Sequence, residues 1–279
     1  MKAIGIIGQG FVGTAIREGL KNKFEIETYD KFKDSTCSSI EELMSKVQMF
    51  FVCLPTPMRK DGSCDLSIIR DTIFEADSHS SNHIAIIKST VVPGTTEKLN
   101  RDCQDLSVIF CPEFLTEANY IDDFKNQNRI LIGGPRPAST AVNNMFKKAF
   151  PNVLTIKTGS SVAEMVKYFT NTFLATKVSF ANEMKKICGN INIDYDKVLE
   201  YALYDERIGK THLSVPGPDG KWGFGGSCFP KDINALITFS RTLGFEPTIL
   251  SSVWKRNLEV RPERDWEALK GRAVSENDD

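Results

Sequence analysis

The sequence predicts an α/β protein in which a doubly wound, mostly parallel sheet is followed by an all-helical domain. Over the first half, short runs rich in Ile, Val and Phe alternate with amphipathic stretches of helix length. That is the rhythm of βαβ units whose strands are covered on both faces. After Gly159 the rhythm stops, and residues 161–188 contain neither Pro nor Gly, so they read as one long helix. The composition agrees: 41% of the 279 residues are apolar and 25% are charged, a globular balance with material for about two domains. The expected boundaries are 1–158 for the sheet domain, 159–270 for the helical domain, and 271–279 for a polar tail that frays.

Strands are expected at 2–7, 24–29, 47–54, 83–88 and 108–110, where β-branched and aromatic residues concentrate. Between them, 12–21, 40–46, 66–77 and 95–102 space their apolar residues as helices do. Strand 129–133, helix 138–149 and strand 152–156 continue the pattern. The long helix is expected to stop at Gly189, a residue that favours helix ends. Further helices are expected at 195–203, 230–242 and 248–258, with a Gly- and Pro-rich loop over 205–227.

Several function classes are disfavoured at once. Thirty-five basic residues against 36 acidic ones leave no electrostatic footprint for nucleic acid or an anionic membrane. No apolar run approaches the roughly 20 residues of a membrane span. The N-terminus runs directly into a strand without a cleavage-site pattern. Seven scattered cysteines without a C-x-x-C pair do not form a disulfide framework, so a reducing cytoplasm is expected. The three histidines lack metal-ligand spacing, and no metal is expected.

The first turn carries Gly8-Gln9-Gly10-Phe11-Val12-Gly13, a G-x-G-x-x-G run between a strand and a helix. Gly8 suits the tight turn, Gly10 the approach of a pyrophosphate, and Gly13 close helix–strand packing. The phosphates would rest on the N–H groups that open the helix at Phe11 and Val12. Asp30 closes the next strand about 20 residues on, where a carboxylate accepts from a ribose 2′-OH and repels a 2′-phosphate; NAD is therefore expected over NADP. Lys31 and Lys33 lie close enough to soften that preference.

The most unusual local sequence is Trp222-Gly223-Phe224-Gly225-Gly226-Ser227-Cys228-Phe229-Pro230-Lys231-Asp232. Pro230 suits the first turn of a helix, which places Cys228 just ahead of that helix with Lys231 near it. A helix N-terminus and a cation both favour a thiolate. The other six cysteines read as small buried apolar residues. On the long helix, Lys167 and Asn171 are four apart and share a face. Such a pair is more often solvated, but among Met165, Val166, Phe169 and Phe173 it is a candidate for a closed pocket.

Taken in order, these runs resemble the UDP-glucose/GDP-mannose dehydrogenase family of nucleotide-sugar dehydrogenases. The matching stretches are residues 8–13, Leu54-Pro55-Thr56-Pro57, Ser89-Thr90-Val91-Val92-Pro93-Gly94-Thr95 and Pro112-Glu113-Phe114-Leu115-Thr116-Glu117. Lys167 with Asn171-Thr172-Phe173-Leu174-Ala175, Asn182-Glu183, Arg207-Ile208-Gly209 and residues 224–232 complete the set, over about residues 1–260.

The resemblance implies a Rossmann-type cofactor domain, a helical central domain that forms a homodimer through the long helix, and NAD as cofactor. It also implies a four-electron oxidation of a sugar primary alcohol to a carboxylate, with UDP-glucose the first substrate expected. An aldehyde formed in the first oxidation would be trapped by Cys228 as a thiohemiacetal, oxidised again to a thioester and hydrolysed. By the same resemblance Lys167 and Asn171 contact the substrate and stabilise the developing oxyanion, and Thr90, Glu113 and Asp232 position or activate water. Cofactor contacts fall to the glycine turn, Asp30, Leu54, Pro55, Thr56, Thr90, Glu117 and Lys231. The sugar-nucleotide pocket falls to Phe114, Leu115, Phe224, Gly225 and Phe229, with Arg207 reaching across the dimer.

The sequence departs from the family's pattern at Cys111, Thr116 and Ala118, and residues 216–221 make a longer lead into the glycine-rich run. The family's second nucleotide-binding domain, which carries an F-A-F-K-type motif, is not matched by these residues and is expected to be absent. Two other readings therefore stand beside the first. One is an NAD-binding truncated homologue that needs a partner domain for activity. The other is a two-electron β-hydroxyacid-type dehydrogenase, a family that also uses a Lys and an Asn four apart but tolerates loss of Cys228.

Overall fold

A computed structural model describes residues 3–276. The chain forms two compact units, one of Met1–Thr56 with Leu66–Lys167 and one of Pro57–Asp65 with Tyr168–Asp279.

The first unit is a seven-stranded sheet wrapped by helices. Its elements run β1 (Ala3–Ile7), α1 (Phe11–Leu20), β2 (Glu25–Tyr29), α2 (Ile40–Lys46), β3 (Met49–Val52), α3 (Ser67–Ser78) and β4 (Ile84–Ile87). They continue with α4 (Thr95–Asp102), β5 (Ser107–Phe110), α5 (Tyr120–Lys125), β6 (Arg129–Gly133), α6 (Ala138–Ala149) and β7 (Leu154–Thr158). The strand order is β2-β1-β3-β4-β5-β6-β7. All neighbours are parallel except β5 and β6, which meet antiparallel at Phe110 and Gly133. The doubly wound, mostly parallel sheet is as the sequence predicts.

Strand β3 shows why the apolar runs are continuous. Met49 and Phe51 pack with Ile16, Leu20 and Phe146 on one face, while Phe50 and Val52 pack with Leu43, Ile73 and Leu99 on the other. Side chains alternate across the sheet, so a strand covered twice must be apolar at every position. Because β1 is flanked by β2 on one side and β3 on the other, the winding reverses between β1 and β3. The carboxyl ends of those strands are where such sheets take ligands.

Helix α5 has no counterpart in the sequence reading. Six residues are too short for a periodic signal, and it is held by Phe124, whose ring lies where a side chain on Gly19 would sit.

In the second unit, α7 (Ser160–Asn190) supplies Tyr168 onward, followed by α8 (Tyr195–Ala202), α9 (Phe229–Thr242), α10 (Thr248–Val260) and a short 3-10 helix (Asp265–Ala268). Helix α7 is 31 residues long, about 46 Å at 1.5 Å per residue. It does not stop at Gly189. The reversal falls instead at Asn192, which takes the left-handed conformation with φ 56°, and Ile193 N–H returns to the Cys188 carbonyl at 2.9 Å. Asn is the usual substitute for Gly at that position. One core joins Ala175, Phe224, Ile233, Ile237 and Val253, and a second joins Ala181, Cys188, Tyr195, Leu213 and Val215.

The tail is not frayed from Gly271. The carbonyl of Ala273, a fully buried residue, accepts from Met58 N–H at 2.8 Å, and Ser275 N–H donates to Met58 O at 2.8 Å. Residues 277–279 of the expected tail lie outside the described residues. Among the described residues, no helix is long and apolar enough to cross a membrane.

Candidate active site

The glycine turn has the form its sequence requires. Gly8 has φ +91°, and a side chain there would stand 2.5 Å from the Cys53 carbonyl; one on Gly13 would run into Gly8 O. Gly10 is the N-cap of α1 without a side-chain cap, and the space where its Cβ would be is open. An anion can therefore approach the start of α1, where the helix dipole favours negative charge. The Asp30 carboxylate accepts from Gln9 N–H at 2.6 Å and from Phe32 N–H at 2.9 Å, which fixes both oxygens while each keeps a lone pair for a ribose hydroxyl. Lys33 Nζ donates to Gln9 O at 2.7 Å. An open phosphate cradle beside a fixed carboxylate fits a dinucleotide.

Two neighbouring turns are tied together. Thr56 Oγ1 donates to Thr90 O at 2.8 Å, and Ser89 Oγ donates to Leu54 O at 2.5 Å. The segment Leu54–Thr56 and Thr90 thus line up after β3 and β4 within the first unit.

After β5 the chain delivers Glu113. Its carboxylate pairs with Lys167 Nζ at 2.9 Å and accepts from Leu115 N–H at 2.6 Å, while Lys167 also donates to the Glu113 carbonyl at 2.8 Å. Both side chains are buried. Burial pushes the Glu113 carboxyl upward, but the Lys167 ammonium, the Leu115 N–H and Lys88 outweigh it and hold it below the ordinary 4.5. Lys88, which sequence reasoning did not single out, is itself buried and donates to Pro112 O at 2.9 Å. A charged residue ending an otherwise apolar strand was the available signal.

Arg129 was also missed. The antiparallel register of β6 sets its first residue beside the chain that leaves β5, and the Arg129 guanidinium stacks 4.3 Å from the Phe114 ring, with Lys167 Nζ at 5.6 Å. Leu115 is half-buried and Glu117 is exposed.

The second unit holds the remaining residues. Cys228 is the N-cap of α9, with Pro230 in the first turn. Asp232, almost wholly buried, accepts from Asn171 Nδ2 at 2.5 Å and pairs with Lys231 through its other oxygen. Burial alone would lower the Lys231 pKa, but Asp232, Cys228 and Cys64 outweigh it and raise it above the usual lysine range. Lys231 therefore stays an ammonium near the Cys228 sulfur. Cys64 was read as an inert apolar residue, yet it belongs to this group through the excursion Pro57–Asp65. Burial pushes Cys53 up to about 12 and Cys103 up to about 11, and raises Cys37 and Cys111, as expected of inert thiols.

The Phe224 ring is in the core with Ile233 and Val253, and its N–H and carbonyl both bond Asn257. One expectation needs correction. Met165, Phe169 and Phe173 do not enclose Lys167 and Asn171; they are exposed while the Lys–Asn pair is buried, because residues two apart on a helix point to opposite sides. Phe229 packs edge-on to Phe224 at 6.1 Å. A side chain on Gly225 would overlap Arg261 and Asp265. Arg207 sits on an exposed loop, paired with Asp205.

Residues 17–150 match the NAD binding domain of the UDP-glucose/GDP-mannose dehydrogenase family, and residues 161–259 match that family's central domain. The chain belongs to this family. Its dinucleotide is NAD. The chain is 35% identical over 243 residues to the UDP-glucose 6-dehydrogenase AglM of Haloferax volcanii, covering 80% of this chain and 54% of that one. It is 33% identical over 221 residues to TuaD of Bacillus subtilis, also a UDP-glucose 6-dehydrogenase, covering 76% and 47%. It thus spans about half the length of the curated relatives it matches. Among solved structures, a UDP-glucose dehydrogenase from Pyrobaculum islandicum superposes with TM-score 0.84 at 28% identity, covering 96% of this chain and 70% of that one. A 3-hydroxyisobutyrate dehydrogenase from Mycobacterium tuberculosis shares the fold with TM-score 0.76 at 13% identity, covering 95% of both chains.

Proposed function

We propose that this family member oxidises the primary alcohol of a nucleotide sugar to the carboxylate in two NAD-dependent steps, with UDP-glucose as the substrate. The observation that carries this reading is the group at the head of α9: half-buried Cys228 at the N-cap, Lys231 and buried Asp232 in the first turn, and Asn171 on Asp232. The matched relatives, named as UDP-glucose 6-dehydrogenases, support the choice of sugar. The proposed organisation is an NAD-binding domain over 1–158 and a helical domain over 159–270.

When bound, NAD supplies the hydride acceptor for both oxidations. The glycine turn and Asp30 hold it, with contacts from Leu54, Pro55, Thr56, Thr90, Glu117 and Lys231. Cys228 Sγ adds to the aldehyde carbon, and the carbonyl oxygen takes up a proton to give the thiohemiacetal. Oxidation of that adduct, with loss of the hydroxyl proton to a base, leaves a thioester. Water then adds to the thioester carbon, the C–S bond breaks, and the carboxylate leaves with the thiol restored. Lys167 and Asn171, one turn apart on α7, donate to the oxygen that carries negative charge at each stage. Asp232 and Glu113 are the carboxylates available to move protons, and Thr90 helps place the water. Phe114, Leu115, Gly225 and Phe229 contact the sugar nucleotide.

The test is NADH formed per limiting UDP-glucose. Two per sugar is expected. One per sugar would indicate a two-electron dehydrogenase, and none despite measurable NAD binding would overturn activity of this chain alone.

The same reading includes a homodimer in a reducing cytoplasm, with Arg207 offered across the dimer. Phe169, Phe173, Phe180 and Ile187 are all exposed and fall within one narrow stripe of α7, since steps of four and seven return to the same face. Phe169 and Phe173 stack at 6.2 Å. All seven cysteines are free thiols. Sedimentation at micromolar concentration is expected to give a dimer, and Phe173→Glu is expected to give a monomer. A wild-type monomer would overturn this assignment.

A further inference from the structure

The glycine-rich turn that leads to Cys228 is held by side chains from elsewhere in its unit. Gly223 N–H donates to Asn182 Oδ1 at 3.0 Å, Phe224 N–H to Asn257 Oδ1 at 2.7 Å, and Gly226 N–H to Asp265 Oδ2 at 3.0 Å. Behind Asp265 stands Arg261. Its Nε donates to Asp265 Oδ1 at 2.6 Å, its Nη2 to Asp219 Oδ2 at 2.7 Å, and its Nη1 to the Trp222 carbonyl at 3.3 Å. The Arg261 side chain is only 3% exposed. It passes so close to the turn that a side chain on Gly225 would overlap it. Asp265 opens the 3-10 helix whose Trp266 is buried against Trp254, ring centroids 5.2 Å apart. Both Arg261 and Asp265 lie beyond residue 259, where the match to the family's central domain ends.

A buried guanidinium between two carboxylates contributes little net stability, because desolvation offsets most of the attraction. What it provides is geometry: the rigid fork of Arg fixes two carboxylates at once, as Lys cannot. One of those carboxylates holds Gly226, two residues before Cys228.

We propose that Arg261, acting through Asp265, is a positioning residue for Cys228, fixing the turn that sets its thiol at the head of α9. The inference rests on Cys228 being the nucleophile. Among the described residues, the charged and titratable groups around this turn include Lys231 and Asp232 on α9, Cys64 from the excursion, His212 against the Phe229 ring, and Arg261 with Asp265 and Asp219. Removing the guanidinium leaves Asp265 and Asp219 as uncompensated anions beside a loosened turn, and both changes disfavour a thiolate at Cys228.

The experiment is the pH profile of iodoacetamide alkylation at Cys228, read by mass spectrometry on the peptide that contains it, using the full chain. Arg261→Gln is expected to move the profile up by about one pH unit and to slow alkylation near neutral pH about tenfold, with NAD affinity unchanged. Arg261→Lys keeps the charge but reaches one carboxylate, and is expected to fall between that variant and wild type. Circular dichroism establishes that each variant is folded; if Arg261→Gln is not, Arg261→Lys carries the test. A folded variant whose profile superimposes on wild type overturns the proposal. Retention of two NADH per sugar by Cys228→Ser would instead overturn the nucleophile reading, and leaves the alkylation result standing.

Discussion

Cys228→Ser is expected to slow NADH production from UDP-glucose by at least about 10³-fold and to cut the yield from two NADH per sugar to at most one. A serine hydroxyl is a far weaker nucleophile than a thiolate at neutral pH, so the aldehyde is no longer held for its second oxidation. The same substitution is expected to leave stability nearly unchanged. Cys228 precedes α9 with helical φ −98° and ψ −66° and makes no side-chain capping bond, so a serine there lacks the extended geometry from which Ser caps a helix. A stable and inactive protein is the signature of a side chain kept for chemistry. Stoichiometry and thermal denaturation on one preparation check both parts, and two NADH per sugar from Cys228→Ser would sink the thioester route.

Lys167→Met is expected to destabilise the fold by roughly 3–5 kcal/mol at neutral pH, the usual result of leaving one member of a buried ion pair without its partner. The pH dependence carries the sharper signal. In wild type the Glu113 carboxyl lies below its ordinary 4.5. Its contribution is therefore fully present above that value and is lost as pH falls through the folded-state pKa. In Lys167→Met burial dominates, the carboxyl rises above 4.5, and protonation relieves the penalty. The variant should gain stability relative to wild type as pH falls from about 7.5 to 5, and a further Glu113→Gln should restore most of the loss. Urea unfolding across that range checks it. A loss independent of pH would mean that Lys167 contributes packing alone.

Most of the sheet was legible because its rule is local. A strand covered on both faces is apolar throughout, and Met49–Val52 shows that in four consecutive buried residues. The antiparallel entry of β6 was not legible, since nothing in Arg129–Gly133 records which way the strand runs. Arg129 and its stacking on Phe114 were hidden for the same reason. The reversal after α7 falls at Asn192 rather than Gly189 because either residue can take a left-handed turn, and tertiary packing chooses between them. The glycine cradle and Asp30 were readable from spacing. Cys228 stood out by its setting, and the roles of Lys167, Asn171, Glu113 and Asp232 came with the family resemblance. What no local pattern could disclose was their buried partnering: Lys167 with Glu113, 54 residues away, and Asn171 with Asp232, 61 residues away. Cys64 stayed hidden because it looks ordinary until the backbone carries it to its neighbours, whereas Lys88 showed only as a charge ending an apolar strand.

The excursion Pro57–Asp65 also sets a timetable. Asp65 bonds Ser275, 210 residues later, and Met58 pairs with Ala273 and Ser275. At about 5–20 residues per second on the ribosome, the segment waits roughly 10–40 s for these partners. The sheet has all its strands once Thr158 has emerged, well before then. Asp265, which holds the turn before Cys228, also emerges after every strand of the sheet. The cofactor cradle can therefore fold on the nascent chain while the turn before Cys228 still waits for the residue that holds it.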